Sequence, residues 1–381
     1  MTVAPDELVD DVARLEQGDP GGMLPAVASG AAQVRESAVF AREAGVAALA
    51  DDDRPRAVVV CGMGGSGIAG DVLAAVVGPG SPVPIVTHRG YGLPGWVGAA
   101  DLVVAVSCSG STEETLSALE EAVRRGCRLL VVGAADSPVQ ELGARGRALF
   151  VPVTQGRQPR ATVWALSTPL VVAADALGLV AAGEDVIEAT ADQLEQVALR
   201  CRVDADHFAN PAKQLALELT GTLPNVWGTS ALAGVASYRF ACQLNENAKT
   251  PAVWGALPEA NHNQVVAFDG PFAGSTGLSE DDFFRDRVDD EPGARTRLRL
   301  VLLRDTEEHP QVARRAAVSQ ELAEERGIGV SVVEAAGASS FERLASLVAL
   351  GDWATTYLAL LEQRDPTPVD AISALKDRIR A

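Results

Sequence analysis

The chain concentrates hydroxyl side chains in one short turn. Residues 107–112 have the sequence Ser-Cys-Ser-Gly-Ser-Thr, and they follow the apolar run 102–106 and precede a segment with helical spacing. Hydroxyls and the unpaired backbone N–H groups at the start of a helix donate hydrogen bonds to an anion, and the helix dipole favours negative charge there. The turn therefore suits a phosphate monoester. The plain alternative is helix capping with Glu113 or Glu114, which explains one or two of the four hydroxyls.

A second loop with possible chemistry is the glycine-rich segment 62–67, Gly-Met-Gly-Gly-Ser-Gly. It matches the G-x-G-x-x-G pattern of dinucleotide-binding loops, which is a weak signal by itself. The acidic residue that would hold the ribose of NAD is replaced by the sequence Thr-His-Arg at 87–89, so only an NADP-like use of the loop survives. The other interpretation is that Gly64, Gly65 and Ser66 wrap a sugar whose phosphate lies in the hydroxyl turn.

Two polar segments in the second half of the chain contain candidates for acid–base chemistry. They are Leu-Asn-Glu-Asn-Ala-Lys at 244–249 and Pro-Glu-Ala-Asn-His-Asn at 258–263. Glu246 lies among apolar neighbours, and desolvation there would suit a general base. It could equally form a surface ion pair with Lys249, and the residues alone leave both interpretations open. His262 is either a structural histidine or a proton-transfer group whose tautomer the flanking asparagine amides fix.

Two cations stand out by position. Arg160 precedes the apolar segment 161–182 and so lies near the start of a helix, where a cation is unfavourable for the dipole. We expect it to serve a developing anion such as an enediolate. Lys376, one of only three lysines, lies near the end of the last predicted helix and has a plain surface interpretation. No cluster of His, Cys, Asp or Glu has metal-ligand spacing, so the sequence predicts no metal and no cofactor.

Composition excludes several classes of partner. The formal net charge is −19 in 381 residues, which argues against nucleic acid and against an anionic membrane surface. The five scattered cysteines indicate a reduced, cytoplasmic protein, and the acidic N-terminus lacks the pattern of a secretory signal. The apolar segment 161–182 contains Asp175 and Pro169, which favours a buried helix over a membrane span.

The elements that position these residues alternate between strand and helix. Short apolar runs bounded by loops predict parallel strands, and the segments between them have helical spacing. Such alternation is typical of a doubly wound parallel sheet, and the pattern occurs twice. In the first half the predicted strands are 57–60, 84–87, 102–106, 129–132 and 149–152, and the second half adds strands at 224–230, 297–303 and 329–333.

The predicted organisation is α/β, with two doubly wound domains and an N-terminal helical layer. We predict N-terminal helices and a first domain over 1–183, a connecting helix over 184–204, and a second domain with a C-terminal helix over 205–381. The acidic segment 279–291 is predicted to be a solvated loop. The glycine loop and the hydroxyl turn both follow strands of one sheet, and so both belong at its carboxyl edge, where ligands of such folds bind.

These motifs together resemble the bifunctional phosphoglucose/phosphomannose isomerases, which have two sugar isomerase (SIS) domains. The resemblance rests on residues 62–70, 107–114, 159–161, 244–249 and 258–263, and it extends from about residue 57 to the last helix. It implies interconversion of glucose 6-phosphate or mannose 6-phosphate with fructose 6-phosphate, in a homodimer with active sites at the subunit interface. Ser111 departs from the family pattern, in which asparagine is common.

The resemblance also implies roles for individual residues. Glu246 matches the base that moves a proton between C2 and C1, and His262 matches the residue that assists ring opening. Arg160 matches the group that steadies the enediolate, and Lys376 matches a lysine that reaches the ring oxygen. The matching sugar-phosphate ligands are Gly65, Ser66, Ser107, Ser109 and Thr112.

Two other functions use the same features. A sugar-phosphate sensor would need the sheet and the hydroxyl turn, but it would not need Glu246, His262 or Lys376. An NADP-linked reductase would use the glycine loop for its nucleotide. Binding of a nucleotide would favour the reductase, and turnover of a sugar phosphate would exclude the sensor.

Overall fold

The computed structural model describes residues 8–274 and 296–380. These residues form two compact units. The unit that we call the N-terminal unit comprises Met23–Ala198 and Ala336–Ala349. The C-terminal unit comprises the described parts of Met1–Gly22, Leu199–Ala335 and Leu350–Ala381. The acidic segment 279–291 lies outside the described residues.

The N-terminal unit contains a five-stranded sheet in which all the strands are parallel, in the order β2-β1-β3-β4-β5. The central strands β1, β3 and β4 are almost wholly buried, which explains why they have continuous apolar sequences. The strands are β1 (Val58–Cys61), β2 (Ile85–His88), β3 (Leu102–Ser107), β4 (Arg128–Gly133) and β5 (Leu149–Pro152).

Helices connect these strands and add a helical layer before them. Between β1 and β2 lies α4 (Gly65–Val77), and the later connections contain α5 (Glu113–Arg124) and α6 (Pro138–Arg145). Pro at the first position of α6 is a favoured helix start, because its missing N–H would lack an intrahelical partner there in any case. The helix α1 (Val12–Gly18) belongs to the C-terminal unit. The other helices of the N-terminal unit are α2 (Met23–Ala28), α3 (Gly30–Glu43), α7 (Val163–Ala176) and α8 (Glu184–Arg200), whose residues 199 and 200 belong to the C-terminal unit.

The C-terminal unit contains a four-stranded parallel sheet in the order β7-β6-β8-β9. Its core includes the indole of Trp227, which is fully buried and stacks on Phe268 at 5.5 Å between ring centroids. The strands are β6 (Thr222–Gly228), β7 (Val253–Ala256), β8 (Arg297–Arg304) and β9 (Gly329–Glu334). The helices are α9 (Pro211–Leu219), α10 (Ala231–Gln243), α11 (Ala260–Asn263), α12 (Pro310–Glu325), α13 (Ser340–Leu361) and α14 (Asp370–Arg380). Residues 340–349 of α13 belong to the N-terminal unit, and the rest of that helix belongs to the C-terminal unit.

The predicted fold class is confirmed, since both halves contain parallel sheets connected by helices. The sequence prediction missed β7, a short edge strand in which Val253 and Trp254 are exposed. It also extended α10 to residue 248, whereas the α-helix ends at Gln243 and continues as a single π-helical turn, Leu244–Ala248. This turn contains Glu246.

Near the N-terminus, Asp10 contacts residues about 200 positions later in the sequence. Asp10 accepts hydrogen bonds from the backbone N–H of His207 at 2.8 Å and from the buried ammonium of Lys213 at 3.2 Å. These contacts attach the first described helical residues to the C-terminal unit. The predicted division into a first domain (1–183), a connecting helix (184–204) and a second domain (205–381) stays a prediction.

One described helix, α13, is long and apolar enough to cross a membrane by length and composition alone. In its most apolar stretch, 94% of the residues are buried inside the protein. Burial of this kind is the property of a core helix, and it accounts for the apolar sequence of α13.

We predict that Gly228→Ala strongly destabilises the protein. A Cβ added to Gly228 at the end of β6 would lie 2.2 Å from the backbone carbon of Ala233, so the start of α10 would have to move. Such overpacking typically costs ~1–3 kcal/mol or more. Gly80→Ala is the matched control, because its added Cβ has no neighbour within 4 Å. The midpoint of urea unfolding should fall for the first variant and not for the second, and equal midpoints would contradict the prediction.

Candidate active site

The glycine loop and the hydroxyl turn meet at the carboxyl edge of the first sheet. The loop follows β1 and the turn follows the adjacent strand β3. The backbone N–H of Cys108 donates a hydrogen bond to the buried hydroxyl of Ser66 at 3.3 Å, which links the two loops directly. Both loops lead into helices, α4 and α5, so the N-terminal ends of these helices are at the same edge. This arrangement is the usual ligand position of doubly wound sheets.

The hydroxyls of the turn form a connected cluster. Ser107, which is fully buried, shares a hydrogen bond of 3.1 Å with Thr112, and Thr112 and Ser109 lie 3.5 Å apart. The backbone N–H and the hydroxyl of Ser111 both donate to Ser109 at 3.4 Å. Thr112 occupies the N-cap position of α5, but its side chain makes no capping bond. Capping therefore does not account for the cluster, and an oxyanion is a suitable ligand for it.

Two glycines shape this edge. Gly110 has φ of +71°, and a Cβ there would lie 2.3 Å from the side chain of Ser137, so the turn requires glycine at this position. Gly64 has φ of +53° and precedes α4, which begins at Gly65. Because Gly64 and Gly65 have no side chains, a ligand can approach the backbone N–H groups at the start of α4 closely.

Arg160 belongs to a segment that passes beside the same two loops. It belongs to a short 3₁₀ turn, Pro159–Ala161, and its side chain is buried. A Cβ added to Gly65 would lie 3.9 Å from the carbonyl oxygen of Pro159. Thr162, at the other end of the 3₁₀ turn, forms a hydrogen bond with Cys108 of the hydroxyl turn. Burial raises the pKa of the Cys108 thiol, and this hydrogen bond opposes the rise. The structure thus brings Gly64, Gly65, Ser66, Ser107, Ser109 and Thr112 together at one edge of the N-terminal unit, and the residues on either side of the 160–161 pair, Pro159 and Thr162, lie beside the two loops.

Glu246 belongs to the C-terminal unit, on the π-helical turn that follows α10. It is partly buried, and it lies on the wall of a pocket of about 420 Å³. The other residues around this pocket come from the same turn and from the start of α14: Asn245, Lys249, Pro368, Val369, Asp370, Ala371 and Ile372. A carboxylate in a partly apolar pocket has the setting that a general base needs.

A buried polar network holds the turn that contains Glu246. Arg239 on α10 donates two hydrogen bonds to the carboxylate of Asp352 on α13, at 3.0 and 2.6 Å. Gln243 donates to the same carboxylate at 3.3 Å, and Asn247 donates to the hydroxyl of Thr355 at 3.0 Å. Burial raises the pKa of Asp352, while the bonds from Arg239 oppose the rise. The network fixes the rotation of α10 and of the turn against α13.

Lys249 ends the turn with a left-handed backbone, at φ of 56° and ψ of 27°. Its ammonium donates hydrogen bonds to the backbone carbonyl oxygens of Glu246 at 3.0 Å and Asn247 at 3.1 Å. The predicted alternative for Glu246 was a side-chain ion pair with Lys249 on an exposed helix face. The ammonium instead binds carbonyl groups that the end of a helix leaves without intrahelical partners.

His262 lies on the short helix α11, and it is exposed. The amide nitrogen of Asn261 donates to Ser319 at 2.7 Å, and that of Asn263 donates to Glu259 at 3.0 Å. These two bonds use the amide nitrogens and leave the amide oxygens aside, so the role of the flanking amides in fixing the imidazole tautomer stays a prediction. His262 and Glu246 belong to the same unit.

Lys376 is exposed on α14, one helical turn beyond Ile372 of the Glu246 pocket. The prediction from sequence named Lys376 and Glu246, and it named Lys249 as a possible ion-pair partner of Glu246. It missed Arg239 and Asp352 as members of their surroundings. Among the described residues, no group of three or more His, Cys, Asp or Glu side chains is arranged to hold a metal ion.

Comparison with known proteins finds relatives over most of the chain. A family model described as the bacterial phospho-glucose isomerase C-terminal SIS domain matches residues 208–379. A bifunctional phosphoglucose/phosphomannose isomerase of Caldicellulosiruptor bescii is 33% identical over 322 residues, which are 84% of this chain and 89% of that protein. A protein of the same description from Aquifex aeolicus is 28% identical over 334 residues, 87% of this chain and 93% of its own.

Solved structures show the same fold. A glucose-6-phosphate isomerase from Chlamydia trachomatis superposes with a TM-score of 0.70 over 99% of this chain and 84% of its own, at 13% identity. A hypothetical protein from Thermus thermophilus superposes with a TM-score of 0.67 over 99% of this chain and 94% of its own, at 17% identity. At these identities the superpositions are evidence for the fold alone.

We predict that Ser109→Ala combined with Thr112→Ala weakens binding of inorganic phosphate at least about tenfold. The double variant removes two hydroxyl donors, and hydrogen bonds to charged groups are worth roughly 1.5–3 kcal/mol each. Isothermal titration calorimetry measures the affinity. Ser81→Ala is the control, since that hydroxyl bonds Val83 in a loop away from the turn. Unchanged phosphate affinity in the double variant would remove the hydroxyl turn from the site.

Proposed function

Because this chain belongs to the family of bifunctional phosphoglucose/phosphomannose isomerases, we propose that it interconverts glucose 6-phosphate, mannose 6-phosphate or both with fructose 6-phosphate. The chain is a sugar-phosphate isomerase. The observation that carries the proposal is the 33% identity to a bifunctional relative over 84% of the chain, a length that includes both sheets. The non-catalytic sensor is not favoured.

The proposed grip on the substrate uses neutral donors. Ser107, Ser109 and Thr112 hold the phosphate, and Gly64, Gly65 and Ser66 hold the adjacent part of the sugar. The connected hydroxyl cluster and the bond between Cys108 and Ser66 support these roles, because one ligand at this edge is within reach of both loops. This grip is remote from the reacting carbons, and it therefore contributes to substrate and transition state alike.

The proposed chemistry is a proton transfer between neighbouring carbons. Glu246 removes the proton from C2 of the open-chain aldose, and the electrons of the C–H bond form a C1–C2 double bond as the carbonyl oxygen gains negative charge. The same carboxyl group then returns a proton to C1, and a hydroxyl proton moves from O2 to O1, which gives the ketose. Carbon 2 is planar in this enediolate, so glucose and mannose 6-phosphate reach the same intermediate. The two epimers carry the C2 hydrogen on opposite faces, so one base serves both when the C1–C2 unit can turn either face toward the carboxylate.

The other proposed roles follow from the resemblance to the family. His262 assists opening of the sugar ring, and Lys376 reaches the ring oxygen. Arg160 steadies the enediolate. Its burial supports this role, because a cation acts more strongly on a developing anion in a dry site, and so does the position of its neighbours Pro159 and Thr162 beside the two loops. We further propose a cytoplasmic homodimer with active sites at the subunit interface, for which size-exclusion chromatography with light scattering is the test.

We predict that Glu246→Gln keeps binding of fructose 6-phosphate but lowers kcat at least ~10²-fold, because general base catalysis is typically worth 10²–10⁴-fold. The assay incubates the protein with fructose 6-phosphate in deuterated water and identifies the aldoses labelled at C2 by NMR. Glu321→Gln, an exposed glutamate on α12, is the control and should match the wild type. Full turnover by Glu246→Gln would exclude Glu246 as the base.

A further inference from the structure

Lys249 adopts a backbone conformation that glycine usually occupies at the end of a helix. Its φ of 56° and ψ of 27° lie in the left-handed region, where the Cβ of most residues is unfavourable. Helices commonly end with glycine in this conformation for that reason. The presence of a lysine at this position therefore indicates that its side chain contributes something that offsets the backbone cost.

The contribution is a set of hydrogen bonds that join two segments distant in sequence. On one side, the ammonium donates to the carbonyl oxygens of Glu246 and Asn247, which belong to the π-helical turn. On the other side, it donates to the carbonyl oxygen of Asp365 at 3.1 Å and to that of Pro366 at 3.2 Å. One cation thus sits among four carbonyl oxygens, at the end of a helix where positive charge is favoured.

The two joined segments belong to or adjoin the lining of one pocket. Residues 365 and 366 lead directly into Pro368–Ile372, which line the Glu246 pocket together with residues of the turn. The stretch between them is itself braced, because the backbone N–H of Thr367 donates to the Asp365 side chain at 2.8 Å. Lys249 is therefore the hydrogen-bonded connection between the wall that contains Glu246 and the wall that continues into α14.

We propose that Lys249 is a positioning residue for the reaction: its ammonium fixes the Glu246 turn against residues 365–366 and so sets where the carboxylate meets the substrate. The inference rests on the proposed role of Glu246 as the base. That base must address two neighbouring carbons in succession, so a small displacement of the turn is costly. A misplacement of about 1 Å can reduce a rate ~10²-fold. The bonds of Arg239 and Asp352 fix the other side of the turn, and Lys249 completes its support.

Three variants of Lys249 distinguish the effects of its charge, its side-chain length and its backbone conformation on the rate. Lys249→Met keeps the length and removes the donors, and kcat should fall at least about tenfold while the KM for fructose 6-phosphate changes less than about threefold. Lys249→Gly relaxes the backbone but also removes the donors, and it should lose kcat to a similar extent. Lys249→Arg keeps a cation with several N–H groups and should recover part of the rate. Arg378→Met, which removes an exposed cation from α14, is the control and should keep wild-type kinetics.

Hydrogen exchange gives a readout that does not depend on activity. In Lys249→Met, the amides of residues 244–250 and 365–372 should lose protection together, while those of α12 keep theirs. Wild-type kcat in Lys249→Met or Lys249→Gly would overturn the inference, as would a higher KM at unchanged kcat, which would make Lys249 a binding residue. If Glu246→Gln retained turnover, the proposed base would fail, and the paired loss of protection would still decide whether Lys249 joins the two segments.

Discussion

The position of the turn that contains Glu246 depends on one buried carboxylate, that of Asp352. It accepts two hydrogen bonds from Arg239 and a third from Gln243, so three polar groups from two helices are satisfied together away from water. A buried ion pair of this kind is weak evidence for stability, because desolvation of the charges offsets much of their attraction. The ion pair has a clearer effect on how specifically α10 packs against α13. Any rotation of α10 against α13 would leave a charge without its partner, so the register that presents Glu246 is fixed.

The regular part of the fold could be predicted because its causes are local. Buried parallel strands need apolar side chains on both faces, so β1, β3 and β4 appear in the sequence as short continuous runs. The edge strand β7 lacks this signal, since two of its four residues are exposed and it forms only through pairing with β6. The attachment of Asp10 to Lys213 is likewise set by a distant partner, and no local pattern contains it.

The candidate site likewise contains some features that a local sequence pattern predicts and others that depend on distant residues. The hydroxyl turn and the glycine loop were predictable, because both follow strands and the carboxyl ends of adjacent parallel strands meet at one edge. The helical spacing around Glu246 continues to residue 248, and it gives no sign of the π-helical turn. That turn depends on Asn247 reaching Thr355 and on Lys249 reaching residues 365 and 366, which are contacts between segments more than 100 residues apart. The spacing of apolar residues in one segment gives no information about hydrogen-bond partners in a distant segment.

The phosphate site that we propose consists of neutral groups, although the protein as a whole is strongly acidic. With a formal charge of −19, the chain presents an unfavourable field to a phosphate ester at long range, although salt near 0.1 M screens exposed charges beyond about 10 Å. Much of the arginine charge is neutralised by adjacent carboxylates, as in the contacts of Arg35 with Asp192 and of Arg326 with Asp269. Hydroxyls and backbone N–H groups need no such pairing. They can bind an anion at short range without a counter-charge. In the proposed reaction, the buried cation Arg160 then serves the negative charge that develops on the enediolate.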